Sequence, residues 1–210
     1  KPKLVVFITI DALRPDYLQR FEKQLSGGLA RLYKGGAVFT NAFQDHAITE
    51  TAPGHSATMS GRFPVHTGIM TNIAGVNDTT VSLVDAVGLG ASPFRFRGTT
   101  LTDWLIAKDS RTRALSVSRK DRGAILPIGR SKQPVFWYAS NGNFTTSTYY
   151  STSLPEWVRA FNSRKLAAGY AGRAWRPLLP AKSYSEPDSV TIESDGTHSV
   201  RHLPGAFDAS

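Results

Sequence analysis

Residues Leu4-Val5-Val6-Phe7-Ile8-Thr9-Ile10 form an almost unbroken apolar and largely β-branched run that stops at a carboxylate, Asp11. A stretch this short and apolar on both faces fits a central strand of a parallel sheet covered by helices, and so places the chain in the α/β class. It falls well below the roughly 20 residues a membrane span needs. It also runs into an acidic residue instead of a small-residue cleavage site, so it is not a secretory signal. A signal removed ahead of residue 1 would leave the same sequence. Asp11 then stands at the carboxyl end of a central strand, where open α/β sheets bind ligands. Two roles stay open for it: N-cap of the helix that follows, or a metal ligand, because a carboxylate on a strand tip is a rigidly placed hard oxygen donor.

Residues 16–34 read as helical with a break at Gly27-Gly28 and a stop at Gly35-Gly36, and Ala37-Val38-Phe39-Thr40-Asn41-Ala42-Phe43 as a second strand. Next comes Ile48-Thr49-Glu50-Thr51-Ala52-Pro53-Gly54-His55-Ser56-Ala57-Thr58-Met59-Ser60-Gly61. Proline suits a first helical turn, where its missing N–H costs nothing, so a helix from Pro53 to Ser60 leaves Thr51 at or just before the N-cap. An anion approaching Thr51 would meet free backbone N–H groups and the positive end of the helix dipole. An ordinary N-cap threonine fits the same pattern.

Residues 62–72 read as a loop of turn residues and residues 77–93 as a surface loop. Residues 99–107 read as a capped amphipathic helix, and residues 112–117 as a further strand. Past that strand, in Ser118-Arg119-Lys120-Asp121-Arg122-Gly123-Ala124-Ile125, the cations Lys120 and Arg122 stand two positions apart. They converge on one anion or make a solvated charged turn. From Pro134 the texture changes. Val135-Phe136-Trp137-Tyr138 and Phe144-Thr145-Thr146-Ser147-Thr148-Tyr149-Tyr150 flank Asn141-Gly142 as a hairpin. An amphipathic helix over 154–170 follows, and after Ala171 the chain is irregular. The expected division is 1–133 for an α/β core and 134–210 for an insertion or cap segment.

Charge narrows the partners. Twenty-five Lys and Arg against 16 Asp and Glu give a net charge of +9, which attracts anions. The cations are scattered without a basic block, so nucleic acid is not an expected partner. No cysteine is present, which excludes disulfides, thiolate zinc sites and a cysteine nucleophile.

The chain resembles the alkaline phosphatase superfamily, and more narrowly the bacterial alkaline phosphatases with a threonine nucleophile, the calcium-activated and Sphingomonas-type group. The matching stretches run from Val6 through Asp11 to Leu18, then Thr51-Ala52-Pro53-Gly54-His55-Ser56-Ala57-Thr58, Gly68-Ile69 before Asn72, and Ser118 through Lys120 and Arg122 to Pro127. They continue with Thr146-Ser147-Thr148-Tyr149-Tyr150 before Leu154-Pro155-Glu156-Trp157-Val158. The resemblance implies an N-terminal portion of an alkaline-phosphatase-like fold, a mostly parallel sheet flanked by helices with a hairpin and helix insertion.

It also implies hydrolysis of phosphate monoesters through phosphothreonine at Thr51, with Asn72, Lys120 and Arg122 binding the phosphate. Asp11 and the Thr51 oxygen would be ligands of one of two zinc ions, with calcium as a further candidate metal. A periplasmic or secreted location goes with the resemblance. The physics is consistent: a hydroxyl is a poor nucleophile until activated, and phosphoryl transfer is mainly positioning and charge stabilisation.

One departure is expected to matter. The superfamily's two metals take about three aspartates and three histidines, and His46, His55, His66, His198 and His202 do not stand in a matching arrangement. His55, alone on its helix, is expected to be packed and not ligating; His198 and His202, four apart, stay unassigned. The remaining ligands are expected from sequence beyond Ser210, supplied by a C-terminal half or a second chain. Two other readings stand beside the monoesterase: a phosphodiesterase of the same superfamily, and an inactive fragment that binds anions. A sulfatase is excluded, because Thr51 cannot become formylglycine.

Overall fold

The computed structural model describes residues 2–171, 173–175, 178–184 and 201–202. They fall into two compact units, Lys1–Gln44 with Leu178–Pro187, and Asp45–Pro177 with Asp188–Ser210. The division expected at 133/134 thus lies inside the second unit. Among the described residues no helix is long and apolar enough to cross a membrane.

In the first unit, helix α1 (Asp16–Arg20) runs into a 3₁₀ turn, Glu22–Gln24, and helix α2 (Gly27–Gly35) follows. The helical stretch therefore breaks just ahead of Gly27, with Ser26 extended. The Gln24 side chain donates to the Ser183 carbonyl and ties the two segments of this unit together. The strands expected at 4–10 and 37–43 are absent as ladders. Leu4 is 78% and Phe39 83% exposed. A strand exists only where its N–H and C=O groups meet a neighbour's, and neither segment has such a neighbour among the described residues.

The second unit holds α3 (Thr51–Ser60), α4 (Pro64–Thr67), α5 (Leu101–Lys108), β1 (Ser116–Ser118), α6 (Asp121–Ile128), β2 (Val135–Tyr138), β3 (Phe144–Thr145) and α7 (Glu156–Ser163), with a small pair β4 (Ala174–Trp175) and β5 (Arg201–His202). Strands β1 and β2 pair in parallel with Val117 opposite Phe136, and β2 pairs antiparallel with β3 with Trp137 opposite Thr145. The hairpin expected around Asn141-Gly142 is thus continuous with the parallel pair. Helix α6 is buried almost all round, at Gly123, Ala124, Ile125, Leu126 and Ile128, as a helix at the centre of a core must be. Around it cluster Ala52 of α3, Ile69, Val76, Ala91, Phe96, Val135 and Trp137. A second cluster, Val84, Phe136, Leu154 and Val158, sits under α7.

Several expectations need correction. Residues 77–93 are not a surface loop: Asp78, Val84, Ala91 and Ser92 are buried, and bridges join Asn77 to Ala91 and Leu83 to Ser147. The loop expected at 62–72 contains α4, a single turn with Pro64 at its start. Of the strand expected at 112–117 only Ser116 and Val117 enter the ladder, which extends to Ser118. The helix expected over 154–170 stops at Ser163, because Lys165 adopts a left-handed φ of 44°. A 3₁₀ turn, Ala168–Tyr170, completes the stretch. His198 lies outside the described residues, as do the side chain of His202 and the chain from 203 onward.

Candidate functional site

Helix α3 starts one residue earlier than Thr51 as an N-cap would require. Glu50 is the N-cap, extended at φ −92° and ψ 166°, and Thr51 is the first helical residue. The first N–H groups of a helix have no partner within it, and here the Ala52 N–H is taken by the Asn72 side-chain oxygen Oδ1 at 2.8 Å. Because a backbone N–H can only donate, the side-chain atom facing it must be the oxygen, which leaves the Asn72 Nδ2 group as a donor. The backbone N–H of Asn72 in turn donates to the Glu50 carboxylate at 2.6 Å. Asn72 is therefore bonded to the residues on either side of Thr51. The approach is close: a Cβ on Gly75 would sit 3.0 Å from the Ala52 Cβ and 3.1 Å from the Asn72 carbonyl oxygen.

His55 is buried, and its Nδ1–H donates to the Thr51 carbonyl at 2.8 Å. Its Nε2 faces the first turn of α6, 3.7 Å from where a Cβ on Gly123 would lie. One imidazole thus spans from the carbonyl of Thr51 to the residue after Arg122. At the start of α6, Lys120 is the extended N-cap and its carbonyl accepts the Ala124 N–H at 3.1 Å. Both cations are half-buried. Asp121 accepts the backbone N–H of Arg122 at 2.6 Å and stands 3.6 Å from its guanidinium. The Arg122 Nε is buried with no hydrogen-bond partner. A buried donor of a charged group without a partner is costly, and an anion seated there would satisfy it.

The Thr146-Ser147-Thr148-Tyr149-Tyr150 stretch braces this arrangement from the far end of α6. Tyr150 donates to the Gly129 carbonyl at 3.3 Å and Tyr149 to the Arg130 carbonyl at 3.1 Å, while Ser147 holds the Ala91 carbonyl at 2.6 Å. Burial pushes the Tyr150 phenol well above its ordinary range, with Tyr149 adding to it. Its role is that of a neutral donor.

Of the expected site residues, Thr51, Asn72, Lys120 and Arg122 all belong to the second unit: Thr51 starts α3, Lys120 and Arg122 stand at the start of α6, which packs on α3, and Asn72 lies in the loop that follows α4. Asp11 belongs to the first unit. It follows the extended run in a turn with Ala12 at φ 58°, and the N-cap of α1 is Pro15, so Asp11 does not cap that helix. No three His, Asp or Glu residues come together among the described residues. These residues alone do not assemble a metal centre. An open concavity of about 370 Å³ lies elsewhere, lined by Asn77, Asp78, Thr79, Thr80, Phe94 and Arg95, and includes none of the four. Burial raises the Asp78 carboxyl, but hydrogen bonds from Ser92 and Thr80, with Arg95 nearby, outweigh it and hold the group below its usual range. That carboxylate is occupied in holding its own loop. Glu50 was not legible as a site residue: its bond to Asn72 spans 22 positions and no spacing signals it.

A family model described as type I phosphodiesterase / nucleotide pyrophosphatase matches residues 5–207. The chain is 34% identical to alkaline phosphatase PafA of Elizabethkingia meningoseptica over 97% of its own length and 40% of the relative's. It is 37% identical to alkaline phosphatase PhoV of Synechococcus elongatus, covering 97% of this chain and 41% of that one. Wild-type PafA superposes with a TM-score of 0.84 at 33% identity, over 91% of this chain and 41% of that one. A PafA mutant with one threonine, one asparagine, one lysine and one arginine replaced gives 0.80 at 32% identity, over 87% and 39%. The chain spans about 40% of the length of these relatives, and its α/β fold is that of the matching part of PafA.

Proposed function

The chain belongs to the type I phosphodiesterase / nucleotide pyrophosphatase family, and from that premise we propose that it serves the hydrolysis of phosphate monoesters, with Thr51 as the attacking residue. The observation that carries this reading is the pair of hydrogen bonds by which Asn72 is bonded on both sides of Thr51. The buried, unpartnered Nε of Arg122 lies on α6, which packs against α3, and supports an anion site there. The residues replaced in the PafA mutant give further support. They are a threonine, an asparagine, a lysine and an arginine in this order, the first two as far apart as Thr51 and Asn72 and the last two as far apart as Lys120 and Arg122.

The Thr51 oxygen forms a bond to phosphorus as the bond to the leaving alcohol breaks, and the alcohol departs with a proton. Water then attacks the phosphothreonine, and phosphate leaves as the threonine hydroxyl is restored. Asn72 Nδ2 donates to one non-bridging oxygen throughout. On the other side of the phosphate Arg122 forks across two oxygens and Lys120 adds a point charge. Charge that grows on those oxygens is met by groups already in place. The resemblance brings two zinc ions, which would lower the pKa of the attacking hydroxyl, with Asp11 and Thr51 as two of the donors and calcium as a further candidate. The described residues supply no closed ligand set of their own. A periplasmic or secreted location, and a further segment or second chain completing the ligand set, belong to the same reading.

The family description favours a second reading, a phosphodiesterase. Against it stands the Lys120 and Arg122 pair, which suits a terminal phosphate with two charges. Acid quench during turnover of a labelled monoester is expected to leave the label on Thr51, and Thr51→Ala to abolish turnover while inorganic phosphate still binds. Label on any other residue overturns the proposal.

A further inference from the structure

The carboxylate of Glu50 stands one residue from the proposed nucleophile, where a dianionic phosphate is to bind. Considered as a charge alone, it opposes that ligand. Its geometry gives it another task. Glu50 Oε2 accepts the backbone N–H of Asn72 at 2.6 Å, within the short range of a charge-assisted hydrogen bond. The Asn72 side chain caps Ala52 at 2.8 Å. Glu50, Asn72 and Ala52 therefore close a ring around Thr51, with one bond from a side chain to a loop and one returning from the loop to the helix. The loop that carries Asn72 is anchored on either side by the buried Ile69 and Val76, but between them Ile73 is 85% exposed, and the Gly75 N–H turns back to the Asn72 carbonyl at 3.1 Å.

We propose that Glu50 is a positioning residue, which holds the Asn72 amide beside Thr51 so that Nδ2 meets a phosphoryl oxygen. The inference rests on the functional reading of Asn72 given above. It has a consequence opposite in sign to that of a bystander charge. Removing a bystander carboxylate strengthens phosphate binding, whereas removing this one weakens it, because Asn72 loses its support.

The test measures binding of inorganic phosphate to the full chain by calorimetry or phosphorus NMR. Asn72→Ala is expected to weaken binding about tenfold, as loss of a hydrogen bond to a charged group does. Glu50→Ala is expected to weaken it about fivefold, a loss of about 1 kcal/mol. The double variant is expected to bind no worse than Asn72→Ala alone, since the effect runs through that side chain. Glu50→Gln keeps an acceptor and drops the charge, and is expected to bind as tightly as wild type or more tightly.

Amide proton NMR of the ligand-free chain reads the ring directly. Glu50→Ala is expected to shift the Ala52 amide, whose hydrogen bond goes to the Asn72 side chain and not to that of Glu50, as well as that of Asn72. Tighter binding in Glu50→Ala, losses that multiply in the double variant, or an unmoved Ala52 amide each overturn the proposal while leaving the function of Asn72 standing. A harmless Asn72→Ala, or a wild-type chain that binds no phosphate, overturns the functional reading and this inference with it.

Discussion

Lys120 and Arg122 are two positions apart and both half-buried, yet the structure gives them different surroundings. Arg122 is flanked by Asp121 and has a buried Nε without a partner, so part of its fork is held and part is offered. Lys120 is the N-cap of α6, its charge added to the positive end of that helix. Replacing both with alanine is expected to cost monoesters far more than diesters, since a diester brings one negative charge to meet them. Each lost charge-assisted bond is worth about 1.5–3 kcal/mol, or roughly tenfold to a hundredfold in kcat/KM. Steady-state kinetics on a matched monoester and diester checks this, and equal losses would assign the pair a structural role. At this scale the sequence was informative where chemistry is local. Spacing placed Thr51 beside a helix start and two cations past a strand, while the roles expected of them came from the family resemblance and not from spacing. Glu50 did not, because an exposed glutamate acquires its meaning only when folding brings a loop 22 positions away onto it.

Elements were legible in proportion to how local their causes are. Helix α5 carries its own start signal, with Asp103 accepting the Thr100 N–H at 2.7 Å, and lies within two residues of its expected position. The first hairpin strand was legible from its turn, whereas of the second, expected over residues 144–150, only Phe144–Thr145 enters the ladder. Residues 77–93 were not, because no period holds them. They are held by side chain to backbone bonds and by close contact of main chain with main chain. Gly90 shows this: its carbonyl accepts the Asp78 N–H at 2.8 Å, and a Cβ on it would overlap the Val81 carbonyl oxygen and come within 2.6 Å of the Asp78 carbonyl oxygen. Backbone cannot rotate away as a side-chain tip can. Gly90→Ala is therefore expected to destabilise the second unit by about 2–3 kcal/mol, within the range for overpacked sites. The shift of its urea midpoint checks this, and a midpoint within experimental error of wild type would show that the loop yields. Ala91 next to it is part of the core that contains Ala52, so phosphate binding is expected to weaken in parallel.

At the scale of the whole molecule, family was legible from motifs and sheet assembly was not. The motifs at Thr51, Asn72 and Lys120 sit on short stretches that carry their own pattern, and the relatives found over 97% of the chain are alkaline phosphatases. A parallel strand at 4–10 depends on neighbours that no local pattern supplies. As described, Leu4, Val5, Val6 and Ile8 are 78%, 64%, 68% and 68% exposed. An extended apolar run with unpaired N–H and C=O groups is a template for pairing with another chain. A net charge of +9 opposes such pairing, but its reach shrinks to about 8 Å at physiological salt. The 210-residue chain is thus expected to sediment as a monomer at low ionic strength and to associate as salt is added, because screening removes the repulsion and leaves the apolar attraction. Val6→Lys with Ile8→Lys is expected to suppress that association without shifting the urea midpoint of the second unit, which lacks both residues. Sedimentation velocity across a salt series separates the outcomes: a wild-type chain that stays monomeric at high salt, or a double variant that associates as readily, would show that this run does not drive pairing.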